Sequence, residues 1–141
     1  MSFLGPVEAT SLIPSRIALS LPLVVAHVHP LAVGPIFASH PLDLQLFPVP
    51  SDAFGQIAHV GPPSVNVEAK LVDVDDATVE AGSDPIGQLM IRGPTVGKVL
   101  GVGDESYIEI PSATTEEGWV GTGETARVLT NGAFKVLPRK K

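Results

Sequence analysis

The chain has 141 residues and a formal net charge of −6, a length suited to one domain around a single core. It contains no cysteine, which excludes a disulfide framework and thiolate zinc sites. Lys and Arg are scattered except at the end of the chain, and no basic patch interleaves with aromatics, so a nucleic-acid partner is not expected.

Hydrophobic residues make up 44% of the chain, so disorder throughout is not expected, but only seven aromatics are present (one Trp, one Tyr, five Phe). The core must be built mainly from Val, Leu, Ile and Ala. Glycine and proline number 14 each, a density that disfavours long helices and favours short strands joined by turns. The first residues lack the basic region of a signal peptide, and the apolar run from Ile17 to Val28 is too short to span a bilayer and is broken by Pro22. A cytoplasmic protein without a membrane-spanning segment is the expectation.

In chain order, residues 1–16 read as a loosely held, Pro-punctuated arm. The second half of the run at 17–28 reads as a short buried strand. Residues 29–56 carry five prolines and no clean period, which predicts an irregular connection with a short helical turn near 35–40. From Val65 to Val74 the first part alternates apolar and polar, the period of a half-buried strand, and Asp75 and Asp76 end it. A polar turn through Gly82-Ser83-Asp84-Pro85 leads to a strand from Gly87 to Arg92, with Leu89 and Ile91 on one face and Gly93-Pro94 as its stop. Residues 107–110 form a further short strand. The runs 125–129 and 133–137 flank Thr130-Asn131-Gly132, a hairpin signal because both Asn and Gly tolerate positive φ. The fold class that follows is mainly β, a small distorted antiparallel barrel with a Pro-rich irregular N-terminal segment. Two parts are expected: an arm and connecting segment over 1–54, and a barrel-like part over 55–141.

Four segments carry a resemblance. Gly118-Trp119-Val120-Gly121-Thr122-Gly123-Glu124, followed by Asn131-Gly132 and Pro138-Arg139-Lys140-Lys141, resembles a nucleotide-to-hinge signature of the adenylate-forming enzymes. His59-Val60-Gly61-Pro62-Pro63 with Ala69-Lys70-Leu71-Val72-Asp73-Val74, then Gly87 to Pro94, then Val96 to Leu100, match further segments of that family in the same order. The long-chain fatty acyl-CoA synthetases are the branch they resemble. The resemblance implies a β-barrel subdomain that ends at the hinge between a large and a small domain. It implies that Glu124 and Arg139 are the nucleotide-binding residues, both directed to the ribose.

The same resemblance marks departures. Glu124 stands where the family has aspartate, and Pro138 stands where it has the hinge aspartate. Where the family places a phosphate-contacting threonine and a magnesium-holding glutamate, this chain reads Ala26-His27-Val28-His29-Pro30. The phosphate loop and the catalytic lysine have no counterpart. The expectation is therefore a chain with no catalytic residue and no cofactor of its own, corresponding to part of an enzyme that activates a carboxylic acid with ATP and passes it to CoA. That parent would use ATP, AMP, magnesium and CoA. The partners implied are the remaining subdomains of such a parent, or, in the alternative, a protein partner or a second copy bound by a stand-alone module.

Other constellations have plainer readings. His27-x-His29 with His40 has the residue type for zinc or copper but no nearby acid, and reads as histidines packed beside a core, so no metal is assigned. Ser39, His40 and Asp43 lie too close in sequence for triad geometry. Gly93 to Lys98 falls one residue short of a phosphate loop. Asp73, Asp75, Asp76 and Glu80 lack the central glycine of a calcium loop and read as a solvated strand end. Trp119 reads as a packing anchor.

Overall fold

The computed structural model describes residues 7–45, 57–97, 100–102, 107–109 and 117–137. Their order is α1 (Ala9–Leu19), β1 (Ala26–Val28), β2 (Pro35–Ala38), β3 (Glu68–Val72), α2 (Asp76–Glu80), β4 (Ile86–Arg92), β5 (Leu100–Val102), β6 (Tyr107–Glu109), β7 (Val120–Val128) and β8 (Phe134–Val136). The strands form three antiparallel groups: β1-β2, β3-β4-β7-β8 and β5-β6. The expected antiparallel β architecture is present, but the barrel is not closed. The four-stranded sheet is open, with β3 and β8 as its edges. Two isolated bridges, Gly61 to Phe134 and Phe37 to Pro63, lead from β8 to β2 in place of a closing strand pair.

The N-terminal segment is more regular than its composition implies. The expected arm holds helix α1, which runs through Pro14. Proline removes one intrahelical hydrogen bond, but Ala9 and Leu12 are buried in the core and offset that loss. Ser20 ends the helix in the left-handed conformation, with its N–H on the Ile17 carbonyl. The helical turn expected near 35–40 is instead strand β2. Its Ile36 and Phe37 are both fully buried. A strand covered on both faces has no polar alternation to betray it, and a proline is tolerated as its first residue. Strand β1 is present but not buried as expected: Val25 just before it is enclosed, whereas Val28 is 51% exposed.

Strands β3 and β4 pair from Glu68 with Arg92 to Val72 with Gln88. Leu89 and Ile91 are 1% and 0% exposed, as their shared face requires. Asp75 does more than end β3. It caps α2, accepting the Ala77 N–H at 3.2 Å and the Thr78 hydroxyl at 3.1 Å, as a carboxylate at a helix N-cap does. The acidic residues at 75 and 76 are thus a helix start. The β7-β8 hairpin forms, but Asn131 keeps negative φ and only Gly132 is left-handed, at +80°. Leu129 N–H donates to the Ala133 carbonyl at 2.8 Å, closing a three-residue loop, and Asn131 Oδ1 accepts the Ala133 N–H at 3.0 Å. This is the longer hairpin solution, a turn followed by a left-handed glycine.

One core joins α1, β2, β3, β4, β7 and β8. Leu12, Val25, Ile36, Phe37, Val60, Leu89, Ile91 and Phe134 all belong to it. Phe37 and Phe134 stack with centroids 4.7 Å apart, within the range of favourable ring pairs. The backbone crossing at Gly61 is close: φ is +88°, and a Cβ there would run into the Ala38 carbonyl. The boundary expected between residues 54 and 55 lies outside the described residues. Among the described residues no helix is long and apolar enough to cross a membrane.

Candidate functional site

Strand β7 brings the site together through an irregularity. Gln88 of β4 pairs with Thr125, and Met90 pairs with Gly121. Thr122, Gly123 and Glu124 therefore stand opposite the single residue Leu89. Such a bulge bends a strand and re-aims its side chains. Gly123 takes φ +70°, a conformation open to glycine and costly to other residues. The Thr122 hydroxyl holds the bulge on both sides. It donates to the Leu89 carbonyl at 2.9 Å and accepts the Glu124 N–H at 3.2 Å. The segment that carries the resemblance is thus a built bulge, and it presents the Glu124 carboxylate toward β1.

Glu124 meets a side chain there. His27 Nε2 lies 2.8 Å from Glu124 Oε2, with the two side chains 20% and 28% exposed. Phe37 backs the imidazole, with ring centroids 6.3 Å apart. His29 reaches the same bulge. Its Nδ1 accepts the Leu31 N–H at 3.2 Å. That leaves Nε2–H to donate to the Thr122 carbonyl, also 3.2 Å away. Both histidines therefore contact β7, His27 from β1 and His29 from the residue just after it. His40 does not join them, since it is exposed and its Nδ1 accepts the Leu42 N–H. Among the described residues no group of three or more acids and histidines is arranged to hold a metal ion.

The other candidates separate in space. Ser39 is buried and its Oγ accepts the Val25 N–H at 2.9 Å, while Asp43 pairs with His59 at 2.8 Å, so Ser39, His40 and Asp43 form no triad. Gly93 ends β4 in a turn closed by the Val96 N–H, and Lys98 lies outside the described residues. Trp119 is 8% exposed, with the Lys70 ammonium 4.3 Å and the Arg92 guanidinium 4.6 Å from its ring centre. Arg92 also pairs with Glu68 through Nε at 3.0 Å. Arg139 and Pro138 lie outside the described residues. The resemblance assigns residues 26–30 and Glu124 to one nucleotide site, but no local pattern pairs His27 with Glu124, 97 residues away. A shallow groove beside the site runs between Pro30–Val33 and Pro94–Gly97, held by the Gly97 N–H on the Leu31 carbonyl at 2.6 Å.

The donor chemistry does not fit a magnesium triphosphate. Where the resemblance implies a magnesium-holding glutamate, the chain has His27 in β1 and His29 just after it, and both already bond to β7.

No family model matches the chain. It is 33% identical over 94 residues to long chain acyl-CoA synthetase 5 of Arabidopsis thaliana, an alignment covering 64% of this chain and 13% of the relative. It is 40% identical over 85 residues to a long-chain-fatty-acid–CoA ligase of Escherichia coli O157:H7, covering 58% and 14%. In fold, the O-succinylbenzoate coenzyme A synthetase of Bacillus subtilis superposes with a TM-score of 0.63 at 20% identity, over 96% of this chain and 26% of that one. A luciferase-like enzyme from Zophobas morio superposes at 0.65 and 12% identity, over 97% and 30%. The chain thus spans about an eighth to a seventh of the curated relatives' length. Its strands and its sequence together make it similar to one section of the adenylate-forming enzymes, and within them to the long-chain fatty acyl-CoA synthetases.

Proposed function

We propose that this chain is a non-catalytic counterpart of the β-subdomain of an acyl-CoA synthetase, cytoplasmic, with no ligase activity by itself. The reaction of the corresponding full-length enzyme is ATP-dependent activation of a fatty or other carboxylic acid to an acyl-adenylate, then transfer to CoA. The observation that carries the reading is the His27–Glu124 contact at 2.8 Å. The one described carboxylate assigned to a ribose already has a partner, and that partner comes from the strand that would need to supply phosphate and magnesium ligands. Acyl activation requires a triphosphate held in line and its charge neutralised. Glu124 and Arg139 would serve a ribose only once the remaining subdomains complete the site.

The test is AMP release from ATP, a long-chain fatty acid and CoA by the pure chain, with ATP binding followed by calorimetry. Absence of both supports the proposal, and turnover would refute it. Binding gained by His27→Ala would show that the imidazole is what blocks the carboxylate.

A second reading, a stand-alone module that binds a partner or a second copy, is favoured by one observation. Ile17 and Leu19 at the end of α1, and Leu21 just beyond it, are 74%, 58% and 60% exposed, three large apolar side chains in water within five residues. A sedimentation coefficient that rises with concentration would support self-association, and a constant one would remove that arm.

A further inference from the structure

We propose that Asp43, Gln45 and His59 form a proton-sensitive clasp, closed while His59 is neutral and opened when its ring is protonated. The contacts interlock in one sense only. The Gln45 side chain pairs with the backbone of His59 as a neighbouring strand would. Its Oε1 accepts the His59 N–H at 3.1 Å, and its Nε2 donates to the His59 carbonyl at 2.8 Å. A backbone N–H can only donate and a carbonyl can only accept, so the amide cannot be reversed. Its Nε2 also lies 3.3 Å from His59 Nδ1. That nitrogen must therefore be the acceptor, and the proton sits on Nε2. There it donates to Asp43 Oδ2 at 2.8 Å. Asp43 Oδ1 in turn accepts the Gln45 N–H at 2.9 Å.

A neutral imidazole in this one tautomer satisfies every member. Protonation places an N–H on Nδ1, directly against the amide donor of Gln45, and the two donors repel. The surroundings push the same way. His59 is 12% exposed, and Lys135 of β8 faces it. Among the described residues, Asp43 is the group that favours the cation. Burial is the largest influence, opposed by Asp43 and reinforced by Lys135, and the imidazole is held below its ordinary value. Gln45 itself sits at φ +52° while 3% exposed, a strained backbone for a residue with a Cβ. Release of its side chain removes what holds that conformation. The segment freed is the turn at 43–45. The strand-like segment at 58–60 stays in place, through Ala58 N–H on Val7 and Val60 N–H on Phe134.

The experiment is nitrogen-15 NMR of the His59 ring from pH 8 to 5, with amide exchange at His59 and Val60. The expected results are the Nε2–H tautomer and a midpoint below the ordinary histidine value of about 6.5. The protection of the His59 N–H should fall relative to Val60 as pH drops through the transition, by at most about tenfold per pH unit, the limit for one linked proton. Gln45→Glu, which offers an acceptor to Nδ1–H, should raise the midpoint above that of the wild type. An Nδ1–H tautomer would overturn the proposal, and so would titration that leaves His59 N–H protection unchanged. The wild-type tautomer decides the matter even where the variant does not fold.

Discussion

His27 and Glu124 lie 97 residues apart in the chain and meet at 2.8 Å. Strand β1 supplies the imidazole and the bulge in β7 supplies the carboxylate. Because both side chains are mostly enclosed, the contact is more than a passing surface pair. It is still partly wet, and partly exposed pairs typically contribute little. A double-mutant cycle with His27→Ala and Glu124→Gln should give a coupling of about 0.5–1 kcal/mol in urea unfolding. Added salt should reduce it. A coupling indistinguishable from zero at low salt would mean that the pair does not hold β1 to β7.

Gly61 has no room for a side chain. Its φ is +88°, and a Cβ would enter the Ala38 carbonyl where the 60–63 segment crosses β2. Gly61→Ala should lose about 3 kcal/mol or more, from left-handed strain together with overpacking. Gly132→Ala has the same sign of φ, at +80°, but open space around the new methyl, so its loss should be about 1 kcal/mol. Thermal unfolding of the two variants separates clash from conformation.

Phe37 is fully buried and stacks on Phe134. Phe37→Ala should cost about 3–5 kcal/mol. Denaturant unfolding checks this, and a loss below about 1 kcal/mol would place the ring outside the core.

Trp119 provides its own reporter. Two cations, Lys70 and Arg92, lie over its ring. Replacing Arg92 by Met keeps the hydrocarbon and removes the charge, at a cost of about 1 kcal/mol. The tryptophan emission should change in Arg92→Met and remain unchanged in Val79→Ala, a substitution on the exposed α2.

His59 makes stability depend on pH in a definite sense. Its imidazole is held below the ordinary value, chiefly by burial. In mild acid the unfolded chain therefore binds the proton first, and stability rises with pH across that window. The contribution is complete above about pH 6.5 and is lost as pH falls through the lower folded value. The melting temperature of the wild type should drop more between pH 7.5 and 5 than that of His59→Gln. Equal drops would mean that His59 is not the sensor.

Features that depend on neighbours in sequence were legible without a structure. The Asn131-Gly132 turn, the alternation that buries Leu89 and Ile91, and the stop at Gly93 all arise within a few residues, from backbone conformations and a period of two. The Thr122-Gly123-Glu124 segment was recognisable only through its resemblance to a family signature; that it forms a bulge around a left-handed Gly123 came from the structure. What tertiary structure alone decided is which of these residues meet. Strand β2 gave no period because Ile36 and Phe37 are covered on both sides. Helix α1 tolerates Pro14 because Ala9 and Leu12 find a core to enter. The partner of Glu124, and the amide that fixes the tautomer of His59, come from segments brought together by packing. Short-range sterics are written residue by residue, whereas a hydrogen bond between distant side chains exists only once burial of the intervening apolar surface has brought their backbones within reach.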